Sequence, residues 1–172
     1  MSKEKEMKNK GYNLIEVLVA IALLAWVVLV IAGLFIYGQR GIYSGKQQTK
    51  AVALGQKIYE DINSLEFTNK YKIFQAQAGG TTKTTRYETT TSNPFDQVNE
   101  SVLYNIFETW IDGMKDLTEN CAITCTLTPK NPVTGSTATF ENCLFIQYDL
   151  TIEWTQIQRL RRINLSFTFG GG

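Results

Sequence analysis

Histidine is missing altogether from the 172 residues. That removes the commonest general acid/base and the commonest imidazole metal ligand together. Proline is scarce, at three residues, while 44% of the chain is hydrophobic, so disorder is excluded as a description of the whole. An excess of either charge is also absent: 17 basic against 16 acidic side chains provide no electrostatic footprint for nucleic acid. No glycine-rich phosphate cradle and no Ser/His/Asp set occurs. The reading therefore expects no enzyme, no cofactor and no metal, with no direct nucleic-acid binding.

What is present is sharply uneven. Residues 1–11 carry Lys3, Lys5, Lys8 and Lys10 against Glu4 and Glu6. Residues 17–37, VLVAIALLAWVVLVIAGLFIY, then run without a charge. As a helix rising about 1.5 Å per residue, that segment is roughly 30 Å long, the thickness of a bilayer's hydrocarbon core. A secretory signal fits poorly, because its apolar region is shorter and ends at a small-x-small site; Ala51-Val52-Ala53 lies beyond the polar stretch 38–50. Arg40, Lys46 and Lys50 nearly match the leader lysines, so basic flanks do not orient the span.

The junction between these segments, Gly11-Tyr12-Asn13-Leu14-Ile15-Glu16-Val17, holds one misplaced carboxylate. An unpaired acid near the centre of a membrane helix costs about 3 kcal/mol, and less toward the boundary. If the chain is cut after Gly11, Tyr12 supplies a free α-amino group at i to i+4 spacing from Glu16. With a reference pKa near 7.7, that amine is largely cationic. The pair neutralises itself within one chain or between neighbours.

These residues resemble the processing site of class III signal peptides, borne by type IV pilins and type II secretion pseudopilins: a basic leader ending in glycine, an aromatic or apolar residue, an acid, and a long apolar helix. Tyr12 stands for the usual phenylalanine and Asn13 for the usual threonine. The resemblance implies a leader, 1–11, removed by a prepilin peptidase/N-methyltransferase; a hydrophobic stem helix, 12–43; and a periplasmic or extracellular head, 44–172. It makes Gly11 the last leader residue, Tyr12 the N-methylated mature terminus and Glu16 the acid that guides docking. It also implies an α+β pilin-like fold, the stem running into a small head with an antiparallel sheet. The implied partners are other pilin or pseudopilin subunits and the inner-membrane assembly platform. The implied location is the bacterial inner membrane and then a pilus or pseudopilus. YEDINSLEF close to the stem helix and the final paired strands ending after Trp154 are reminiscent of V-type minor pilins and the I-type pseudopilin. The other reading is an uncleaved, membrane-anchored periplasmic binding protein.

Within the head, Ala51, Leu54, Ile58, Ile62 and Leu65 fall at helical spacing, with Lys50, Lys57, Glu60 and Asp61 on a solvated face. Glycines recur at 33, 38, 41, 45 and 55, as close-packing points or as a stretch around 33–45 able to unwind. The threonine-rich tract 79–93 reads as a loop or edge ribbon. A second amphipathic helix is expected over 96–117, with Val98, Val102, Ile106, Trp110, Met114 and Leu117 in its stripe. Alternation over 144–154 and 163–169 predicts two antiparallel strands reversed through TQIQRLRR. An earlier hairpin is expected through 131–135, and 170–172 as a frayed tail. Were that hairpin centred near residue 134, Cys125 and Cys143 would lie opposite each other, closing a loop of about 18 residues worth roughly 3 kcal/mol. Cys121–Cys143 is the alternative disulfide. Cys121 and Cys125 are about 13 Å apart on one extended strand, too far to bond.

Overall fold

The computed structural model describes residues 14–131, 136–156 and 158–170. The leader, Gly11, Tyr12, most of the expected 131–135 turn and the last two glycines lie outside the described residues. The chain divides into two compact units, Met1–Ser44 and Gly45–Gly172, and helix α1 (Leu14–Ser64) contributes to both.

In the first unit α1 carries no buried residue. Its large apolar side chains, from Leu14 through Trp26 to Tyr37, are all exposed. It is long and apolar enough to cross a membrane. Gly33, Gly38 and Gly41 are helical and have open space around them, so no packing within this chain requires them.

The second unit is α+β. After α1 come a short helix α2 (Phe67–Lys72), strand β1 (Lys83–Glu88), helix α3 (Ser101–Leu117) and strands β2 (Cys121–Lys130), β3 (Phe145–Gln156) and β4 (Arg159–Gly170). The strands form one antiparallel sheet in the order β1-β2-β3-β4. Period-2 alternation gives the sheet an apolar face, with Tyr87, Ile123, Cys125, Leu127, Ile146, Tyr148, Leu150, Ile152 and Trp154 buried. Opposite them pack Ala51, Leu54, Ile58 and Ile62 of α1 and Leu103, Phe107, Trp110, Ile111, Met114 and Leu117 of α3. The expected stripe on α1 is thus a core face.

Two glycines let this layer close. A Cβ on Gly55 would run into Leu165 and touch Ile152, and one on Gly113 of α3 would meet Leu54 at 2.7 Å. Each permits a close approach, and a side chain in its place would make the facing leucine shift.

Three expectations change, and that of a loop or edge ribbon over 79–93 is narrowed. Helix α3 begins at Ser101, because the Asp96 carboxylate accepts the N–H groups of Val98 (2.8 Å) and Asn99 (2.9 Å) and holds that segment in a turn. Val98 is therefore exposed, at 85%, while Val102, inside α3, is 58% exposed because the buried face runs through Leu103, Phe107, Trp110, Ile111 and Met114. Donation from Asn99 first, then Val98, holds the Asp96 carboxyl below its ordinary range. The β3–β4 reversal is shorter than TQIQRLRR: Gln156 pairs Arg159 across two residues, with Gln158 at φ 61°, and Arg159–Arg162 are strand. The threonine-rich tract supplies a true edge strand, whose Thr85 and Tyr87 point inward and donate to the Phe74 and Ile73 carbonyls at 2.6 Å.

The third change concerns the cysteines. Ladder register places Cys125 opposite Leu150 and Cys121 opposite Trp154, because residues 137–144 form an irregular excursion before β3 begins. Neither Cys125 nor Cys121 faces Cys143, and the geometric ground for either disulfide disappears. All three are free, buried thiols, with Cys143 Sγ donating to the Phe140 carbonyl at 3.4 Å.

Candidate functional site

The first described turn of α1 is Leu14-Ile15-Glu16-Val17. Branched and long aliphatic residues dominate the run that follows, and with no proline to interrupt it the backbone satisfies its own hydrogen bonds as a helix, as an apolar medium requires. Glu16 is the sole charged residue from Leu14 to Gln39. It is exposed, as are Leu14, Ile15 and Val17 around it. Among the described residues it has no ion-pair partner. A carboxylate in a first helical turn is favoured by the helix dipole by about 0.3–1 kcal/mol. That term is smaller than the cost of placing it in hydrocarbon. The residue that could neutralise it, Tyr12, lies outside the described residues, as does Gly11. Of the three residues singled out at the junction, the structure therefore positions only Glu16.

The head offers no comparable constellation for covalent chemistry. Among the described residues no group of three His, Cys, Asp or Glu could hold a metal ion. Burial pushes the Cys121 thiol up to about 12 and the Cys125 thiol higher still, so neither is a nucleophile near neutral pH. On the solvent face of the sheet, Arg86 of β1 bridges Glu88 (3.1 Å) and Glu153 of β3 (2.8 Å). Bonding to Glu153 first, then Glu88, raises its already high pKa. The pair of acids occupies this guanidinium and leaves it no free fork for a ligand.

Two structural roles went unread in the sequence. Asp61 belongs to the helix face expected to be solvated, yet its side chain is only 13% exposed: Oδ2 accepts from Trp110 Nε1 at 2.8 Å and Oδ1 from Lys57 Nζ at 2.9 Å. Lys50, on the same helix, donates to the Asp116 carbonyl (3.0 Å) and pairs with its carboxylate (2.8 Å), tying α1 to the end of α3. Helical spacing alone indicates which residues share a face, and a partner 49 positions away leaves no trace in it.

Comparison with family models, with curated proteins and with solved structures finds no match to this chain.

Proposed function

We propose that the protein is a structural minor subunit of a type IV pilus-like filament, a minor pilin or pseudopilin. It is cleaved after Gly11 by a prepilin peptidase, N-methylated at Tyr12, held in the inner membrane by its stem with the head in the periplasm, and assembled through that stem by the inner-membrane platform. The single observation that carries the reading is Glu16: a lone carboxylate in the first turn of an apolar helix none of whose described residues before Ser44 is buried by its own chain.

The physical argument is one of compensation. A stem of this kind is stable in lipid, and on leaving lipid it must pack against equivalent stems. Within such a bundle an uncompensated carboxylate costs several kcal/mol, so only an arrangement that brings an amine to Glu16 is tolerated. Proteolysis after Gly11 creates that amine on Tyr12. The charge pair then fixes axial register as well as neutrality.

Mass spectrometry of the membrane-extracted protein tests the first step: the expected mass begins at methylated Tyr12, and an intact Met1 terminus points instead to an uncleaved anchor. Substitution of Gly11 by a bulky residue blocks cleavage on this reading. Glu16→Val leaves membrane insertion intact but removes the subunit from sheared fibres, read by immunoblot. Normal incorporation of Glu16→Val would refute the pairing argument.

A further inference from the structure

The inward-facing row of β4 reads, from its C-terminal end, Phe169, Phe167, Leu165, Ile163, Arg161, Arg159. The first four are buried or half-buried against the head; the last two are exposed arginines. On the other face of the same segment lie Leu160, 67% exposed, and Arg162. Core-facing positions thus turn from apolar to cationic partway along one strand.

The turnover occurs at a defined place. Gly55 of α1 lies against Leu165, and Tyr59 packs on Phe167 and Phe169 with ring centroids 5.4 and 5.3 Å apart. Helix and strand therefore advance in the same direction. Going back from Gly55 to Gly45 is about 15 Å of helix, and going back from Leu165 to Arg161 or Leu160 is about 13–17 Å of strand. Independently, Arg161 pairs with Trp154, Trp154 with Cys121, and β2 starts four residues after Leu117, beside the Lys50–Asp116 bridge. Both routes put the arginines at the end of the head where the chain enters it.

Two of the nearby acids are already engaged, and Glu119, two residues before β2, is exposed with no ion pair among the described residues. Glu153, which faces Arg162 across the ladder, is held by Arg86, and Asp116 by Lys50. Among the described residues Arg159, Arg161 and Arg162 have no ion-pair partner. The last apolar residue of the span, Tyr37, is only eight residues of chain from Gly45, where the head begins. The polar headgroup layer is about 5–8 Å deep, and the Debye length at physiological salt is about 8 Å. The covalent tether keeps this end of the head within reach of lipid phosphates.

We propose that Arg159, Arg161 and Arg162, with Leu160 between them, form a docking surface for the anionic phospholipid bilayer in which the stem is inserted. The head lies down on acidic lipid through this edge and is released when the stem leaves the membrane. This rests on the stem being a membrane span, as in the reading above. Each arginine near an anionic surface shifts the docked-to-undocked ratio by about fivefold, so three together shift it by about a hundredfold at low salt.

The test uses the full chain in vesicles of phosphatidylcholine alone or mixed with phosphatidylglycerol. Leu160→Cys carries a fluorophore, headgroup-nitroxide lipid is the quencher, and the unsubstituted chain put through the same labelling sets the background. Quenching is expected only with phosphatidylglycerol, reversed by high salt, lost when all three arginines become glutamine and retained when they become lysine. Trp26, read with acyl-chain nitroxide lipid and a Trp26→Phe control, reports the span separately. A quenched Trp26 with no phosphatidylglycerol-dependent signal at position 160 overturns the docking surface alone; an unquenched Trp26 overturns the membrane reading and the docking surface with it.

Discussion

Asp61 offers a test in which two near-identical substitutions must diverge. Its carboxylate accepts a hydrogen bond from Trp110 Nε1 at 2.8 Å and an i,i+4 ion pair from Lys57 at 2.9 Å. Trp110 is 1% exposed, packed 5.7 Å from the Phe74 ring in the centre of the head. Asp61→Ala strands the indole N–H where water cannot replace the acceptor, a loss of about 1–3 kcal/mol. Asp61→Asn keeps an oxygen in place and forfeits only the ion pair, whose lysine is half exposed and which is therefore worth about 0.3–0.5 kcal/mol. Alanine should thus cost several times more than asparagine. Lys57→Ala should match asparagine, and Asp61→Ala combined with Trp110→Phe should cost less than the sum, because no donor is left orphaned. Urea unfolding of the head followed by Trp fluorescence measures these four and the single Trp110→Phe that completes the comparison. Equal losses for Asp61→Ala and Asp61→Asn would refute the hydrogen bond as the source of the effect and return Asp61 to a solvated face.

Gly55→Val should destabilise the head by about 1–3 kcal/mol, since the new side chain must displace Leu165; Gly33→Ala, in open space, should instead leave the head's unfolding midpoint unchanged. Alkylation of the denatured, unreduced chain should modify three thiols, and the native chain at neutral pH should leave Cys121 and Cys125 unmodified. Between about pH 9 and 12 an unfolded chain releases thiol protons that the folded chain retains on Cys121 and Cys125, so stability should fall as pH rises through that window, measured as a drop in Tm. Gln158→Gly should raise stability by up to about 1 kcal/mol by relieving a left-handed backbone at a side chain-bearing residue.

Much of the head was legible where the hydrophobic period was clean. Ile146, Tyr148, Leu150, Ile152 and Trp154 alternate without interruption, and all are buried as that pattern requires. Ala51, Leu54, Ile58 and Ile62 did the same at helical spacing. Reading failed where local chemistry overrode the period. Val98 fits the stripe of α3, but the Asp96 side chain captures the backbone before the helix starts, and Val102, though helical, falls beside the buried face through Leu103 and Phe107. Arg159–Arg162 show no alternation because their strand has run past the core, so they read as a turn. The pairing of Cys125 with Cys143 depended on a hairpin centre that the irregular 137–144 segment displaces, and a register shift of that kind has no local signature. At the junction, Glu16 was legible because a charge is conspicuous in an apolar run.

Gly55 and Leu54 are adjacent on one turn of α1, Gly55 admitting Leu165 of β4 and Leu54 entering the space that Gly113 leaves on α3. The helix is consequently packed closely on two sides, by β4 and by α3. A pull applied along its axis would load those interlocked surfaces in shear, many contacts resisting at once, instead of unzipping them singly. A screw-like turn would have to lift both neighbours together. Within the head, this part of α1 is seated in the manner of a keyed joint.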